Sequence, residues 1–175
     1  ASCLVEVPGQ VEHIHKYSSC GIDVGVAIPL TLAFMNSSGS LVHNEIGHKF
    51  SSRLASKEAS RKRYQKSYSR KAKGSNNQKK AKLKVQRAFQ SERNCRKEFV
   101  EQTSYKLATL FEVIKVEGLK LSNMTKAVKK NEDGSPRKSV AAKSGLNRQL
   151  LRIGFSNLMI RTQQKLIPRG GSLIK

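Results

Sequence analysis

Apolar residues in this chain gather into short runs separated by long polar stretches. Cys3–Val7 alternates in character and then meets Pro8-Gly9, the pattern of a strand's end. A polar link runs to Cys20. Gly21-Ile22-Asp23-Val24-Gly25 then opens an apolar run through Phe34-Met35, closed by Asn36-Ser37-Ser38-Gly39, which predicts a buried strand entering a turn. Leu41–Ile46 follows as a hairpin partner. From about Ser51 to Lys73 the pattern is polar without Gly or Pro, and Gly74-Ser75-Asn76-Asn77 interrupts it. From about Gln78 to Phe111 Gly and Pro are again missing, while Ala81, Val85, Ala88, Phe89, Cys95, Phe99, Leu107 and Leu110 recur at helical spacing. The pattern predicts two long helices joined by a turn, the first almost wholly solvated. A near-polar helix of that length packs along another helix or touches a partner.

Val113–Leu119 is short and β-branched, which predicts a strand. Met124–Ser139 is basic and polar with Asp133-Gly134-Ser135-Pro136, which predicts a loop. Ser144 then caps a helix whose apolar positions are Leu146, Leu150, Ile153 and Leu158. It runs to about Leu166, where Pro168-Arg169-Gly170-Gly171 stops it. Ser172-Leu173-Ile174-Lys175 begins another strand. No internal repeat is visible.

Charge changes the picture more than composition does. The 175 residues, enough for one domain, hold 34 Lys+Arg against 12 Asp+Glu, a net charge of +22. Such an imbalance favours a polyanionic partner. Residues 1–48 hold one base and four acids, whereas residues 49–98 hold 18 bases and three acids. The positive charge is thus concentrated in the predicted helices, as a nucleic-acid footprint would be. The composition excludes collagen, a membrane-spanning protein and a disulfide-rich scaffold. The longest apolar stretch, Gly21–Met35, carries Asp23 and Pro29 and is too short to cross a bilayer. Cys3, Cys20 and Cys95 have no paired spacing, which reads as reduced thiols in a cytoplasmic protein and not as a zinc site.

Two of the few acids are oddly placed. Asp23 lies within the most apolar run, and Glu117 ends the β-branched segment. On a strand Asp23 points with Gly21 and Gly25, away from Ile22 and Val24. Small neighbours leave room beside the carboxylate for a metal or a phosphate backbone. Two carboxylates from adjacent strands could hold divalent cations that activate water and stabilise a leaving phosphate oxygen. Structural readings compete: Asp23 as the start of a tight turn or paired with a base, and Glu117 neutralised by Lys115 on its own face.

Gly21-Ile22-Asp23-Val24-Gly25 followed by Leu30-Thr31-Leu32-Ala33 resembles the opening RuvC-like strand of the TnpB (OrfB) family, encoded by insertion sequences. The basic segment with Lys79-Lys80-Ala81-Lys82-Leu83 looks like that family's inserted helices. Val113–Leu121 resembles its second catalytic strand, and Asn123-Met124-Thr125-Lys126 and Lys143-Ser144-Gly145-Leu146-Asn147-Arg148 resemble its next two blocks. The blocks stand in the family's order over about 21–175. The resemblance implies an α/β fold: an RNase H-like (RuvC) core, with a mixed sheet and long basic inserted helices, incomplete here. It implies a transposon-encoded, RNA-guided DNA endonuclease, often called a transposase, with DNA and a guide RNA as partners in a prokaryotic, nucleoid-associated setting. By the same carry-over Asp23 and Glu117 are catalytic and bind Mg²⁺ or Mn²⁺. Residues 1–8 become the end of a missing N-terminal nucleic-acid-binding domain and 9–20 a linker. Residues 21–175 become the nuclease core, with basic helices at about 51–111. The family's zinc ribbon and third catalytic Asp would follow beyond Lys175. Two positions depart from the family: Gly118, often Asp, and Lys115, usually apolar.

The expected nucleic-acid contacts are Arg61, Lys62, Arg63, Lys66, Arg70, Lys71, Lys79, Lys80, Lys82 and Arg148. Tyr64 and Tyr68, four apart, either stack on bases or pack against a neighbouring helix. His13, His15, His43 and His48 have no cysteine partners at ligand spacing. A second reading remains open, a non-catalytic nucleic-acid-binding protein whose basic helices are the whole function.

Overall fold

The computed structural model describes residues 15–25, 27–118 and 140–175. The expected strand at Cys3–Val7, the loop at Met124–Ser139, the Asn123–Lys126 block and His13 lie outside the described residues. Three strands come first: β1 (Tyr17–Asp23), β2 (Leu30–Met35) and β3 (Leu41–Ile46). Helices α1 (His48–Ser69) and α2 (Asn76–Leu110) follow, then β4 (Phe111–Val116). After residue 139 come α3 (Val140–Ile153), α4 (Phe155–Leu166), a 3-10 turn and β5 (Ser172–Ile174). The sheet order is β3-β2-β1-β4-β5. β1, β2 and β3 form an antiparallel meander, while β4 runs parallel to β1 and β5 parallel to β4. This is a mixed sheet in an α/β protein, and the two expected long helices are present between β1–β3 and β4.

Four boundaries differ from the sequence reading. The apolar run from Gly21 to Met35 is two strands, with Ile22 opposite Leu32 and Asp23 opposite Thr31. The reversal needs glycine at position 25, where a Cβ would sit 2.7 Å from the Ile28 carbonyl oxygen. β1 starts at Tyr17, inside the stretch read as a linker, because the Tyr17 ring packs on Phe34 and Phe111, centroids 4.6 and 5.4 Å away. α2 passes straight into β4 at Phe111, whose extended backbone and buried ring end the helix and begin the strand. β4 ends at Val116, so Glu117 is the first residue past it and not within a strand running to Leu119. The helix expected from Ser144 begins at Val140, and Gly154 in the left-handed region (φ 70°) divides it into α3 and α4.

One sheet face, with Cys20, Ile22, Leu30, Leu32, Ile114 and Val116, forms the core with Phe50 and Leu54 of α1, Phe99, Val100 and Leu107 of α2, and Leu158 of α4. Burial pushes the Cys20 thiol up to about 12, so it remains a protonated core thiol. Among the described residues no helix is long and apolar enough to cross a membrane.

Ion pairs fasten the helices together. Glu101 of α2 lies between Arg161 and Lys165 of α4, at 2.8 and 2.7 Å. Hydrogen bonds from these two cations hold its carboxyl down at about 2, against an ordinary 4.5. A lowered native value stabilises the fold above the ordinary range and loses that contribution as pH falls through the native value. Thermal melts should thus show stability falling from pH 4.5 toward pH 2. Glu101→Gln should flatten that dependence and lower the melting temperature at pH 7. An unchanged acid profile in the variant would remove Glu101 from the explanation.

Candidate metal centre and nucleic-acid interface

The parallel pairing of β1 and β4 sets the site. Gly21 lies opposite Lys115 and Ile22 opposite Val116, so the next residues, Asp23 at the end of β1 and Glu117 just past β4, follow side by side where the β1–β4 pairing ends. Parallel neighbours lie about 4.8 Å apart. Both acids are exposed, on the face opposite the core. They line a shallow depression of about 530 Å³ together with Gly21, Thr31, Ala33, His43 and Lys115, and every lining residue comes from the sheet or its end. Gly21 forms open floor, since a Cβ there would meet nothing nearer than the Ala33 oxygen at 3.9 Å.

Among the described residues neither Asp23 nor Glu117 has an ion-pair or hydrogen-bond partner, and Lys115 does not bridge to Glu117. Two unpaired carboxylates on one sheet face provide hard oxygen ligands, the donor type that Mg²⁺ and Mn²⁺ prefer. Among the described residues no three His, Cys, Asp or Glu side chains group as a metal site, so protein donors would be few. Thr31 and Ala33 went unrecognised as site residues because the run from Gly21 to Met35 reads as one strand, and His43, on β3, reads from the sequence only as a histidine without cysteine partners. Pro29 within that run was the available signal that the chain reverses there.

The second feature is the α1–α2 hairpin. At about 1.5 Å per residue, α1 with 22 residues extends about 33 Å and α2 with 35 about 52 Å. No acid occurs between Glu58 and Glu92 while 12 bases do, so the outer part of this arm is purely cationic. Lys62, Arg63, Lys66, Arg70 and Lys71 line one concavity on α1. Lys79, Lys80 and Lys82 are exposed in the first turns of α2, where Ser75 caps the helix and no acid offsets the dipole. Bases there cost helix stability, which favours a role outside the fold. Arg148 is exposed on α3, one turn before Arg152, which pairs with Glu58 of α1.

Arg61 is different from its neighbours. Its Nε donates to Oε1 of Glu92 at 2.6 Å and its Nη1 to Gln65 at 2.8 Å. Glu92 is 3% exposed. Arg61 is thus a half-buried clasp between α1 and α2 and is not presented to solvent as Lys62 and Arg63 are. Arg96 extends the cluster to Glu92 and Glu58, and Arg152 ties α3 to Glu58 at 3.0 Å. Tyr64 is half-buried and lines a cleft between the helices with Lys84 and Ala88 of α2.

A mixed sheet with two carboxylates at the ends of adjacent parallel strands, and a cationic helical hairpin between those strands, defines an α/β protein with a basic insertion. The chain matches the OrfB_IS605 family model, described as "Probable transposase", over residues 2–128 and belongs to this TnpB/OrfB family. It is also 35% identical over 112 residues to "Putative RNA-guided DNA endonuclease InsQ" of Escherichia coli (strain K12), an alignment covering 64% of this chain. The chain spans 28% of that relative's length.

Proposed function

We propose that this chain forms the RNase H-like (RuvC) core of a metal-dependent, RNA-guided DNA endonuclease of a mobile element. Asp23 and Glu117 hold Mg²⁺ or Mn²⁺, and the α1–α2 arm holds the backbone of DNA or guide RNA. The observation that carries this reading is the placement of two unpaired carboxylates at the same end of the parallel pair β1–β4. Family membership and the endonuclease name of the relative support it. When bound, such a metal supplies charge stabilisation to a phosphodiester under attack by water. The protein's share is to point both carboxylates into one depression and to bring the anionic strand there through the arm.

Lys115, beside the pair, favours the second reading, in which the sheet is a scaffold and the arm alone binds nucleic acid. Its ammonium competes for the carboxylates that a cation would need. Mn²⁺ titration followed by electron paramagnetic resonance separates the two. Under the nuclease reading the chain binds Mn²⁺, Asp23→Asn and Glu117→Gln each weaken binding about tenfold or more, and Lys115→Ala strengthens it. Equal Mn²⁺ binding by the wild type and the Asp23→Asn/Glu117→Gln double variant would leave the scaffold reading.

A further inference from the structure

The geometry points to Phe89 as a stacking platform for an unpaired base of single-stranded nucleic acid, clamped in place by Arg61. This site rests on the reading of the arm as a nucleic-acid interface and adds to it a contact with bases.

Phe89 is 49% exposed on α2, at the inner end of the acid-free stretch that runs from Glu58 to Glu92. A lone exposed phenyl ring is ordinary on a protein surface. This ring is held, however. The Arg61 guanidinium lies over it, 5.0 Å from the ring centroid. That guanidinium cannot turn freely, because Glu92, itself 3% exposed, and Gln65 both accept from it. A buried carboxylate therefore orients an arginine that in turn caps one side of an aromatic ring. The ring keeps exposed surface for a further planar partner.

The neighbourhood suits a nucleotide. Lys82 and Arg93, both exposed, share a helix row with Phe89, seven positions before and four after it. Ala88, 8% exposed, is the residue this turn of α2 buries, whereas the neighbouring Phe89 keeps about half of its surface open. Ring, flanking bases and capping guanidinium together match how single strands are held without sequence preference: phosphates by cations, bases by aromatic faces. A duplex keeps its bases stacked on each other and offers no free face.

The test uses the full 175-residue chain with a 15-mer oligo(dT), the matching oligo(U) and a duplex of equal length. Phe89→Ala, at an exposed helical position, keeps the fold. It should weaken binding of the single strands about tenfold at an unchanged salt slope and leave duplex binding within about twofold. The chain has no Trp, so Phe89→Trp introduces one emitter. Its fluorescence should be quenched by the single strands and not by the duplex. Comparing oligo(dT) with oligo(U) shows which strand the platform serves. Unchanged single-strand affinity in Phe89→Ala, or equal quenching by duplex and single strand, overturns the platform while the arm reading stands. Salt-independent binding by the wild type overturns the arm reading, and this site with it.

Discussion

Arg61→Glu should destabilise the protein by about 3 kcal/mol, a shift of about 150-fold in the folding equilibrium. Glu92 is buried where α1 meets α2, and Arg61 is its short-range partner at 2.6 Å. Arg96 reaches it only at 3.4 Å and is shared with Glu58. Reversing Arg61 would leave a buried carboxylate underpaired and set a second one against it. Neither group can escape into water without opening the hairpin. Lys62→Glu, one position on, changes an exposed side chain and should stay within about 0.5 kcal/mol of wild type. Urea denaturation compares the two, with midpoints read at equal slope. Matching midpoints for wild type and Arg61→Glu would show that the clasp contributes nothing.

Nucleic-acid affinity should collapse as salt rises. If Lys62, Arg63, Lys66, Arg70 and Lys71 each neutralise one phosphate, the log–log slope on duplex DNA is about −4.5, and a fourfold rise in salt weakens binding about 500-fold. These five bases share one concavity, so a single backbone tracking along α1 can reach them together. Replacing Lys62 and Lys66 by Ala should make the slope shallower by about 1.8. The effect should be similar across sequences, since phosphate contacts carry no base information. An affinity indifferent to salt, or a slope unmoved by both replacements, would place the interface elsewhere.

Much of this was legible in the chain. Asp23 stood out as a charge in an apolar run, and the gap in acids around Lys79 and Lys80 marked the arm. Register was not legible. The pairing of Gly21 with Lys115 joins segments separated by two long helices, and nothing local to either strand encodes it. Strand length failed at both ends of the site for a related reason. Hydrophobic runs report burial, and two strands burying the same face read as one when the turn between them is also apolar. The role of Arg61 was hidden because one basic residue in a basic segment looks like the rest. Its partner did leave a trace: Glu92 falls four residues after Ala88 and three before Cys95, inside the apolar stripe of α2, where a charge must be paired.

The position of β1 between an early neighbour and a late one has a consequence for synthesis. β2 emerges from the ribosome directly after β1, whereas β4 emerges only when the whole hairpin has been made. Until then one edge of β1 has no strand to pair with, and such edges invite association with other chains. The hairpin's contacts close shorter loops than the β1–β4 pairing does, and shorter loops close at lower entropic cost. A growing chain therefore displays its bases in place before its two acids meet.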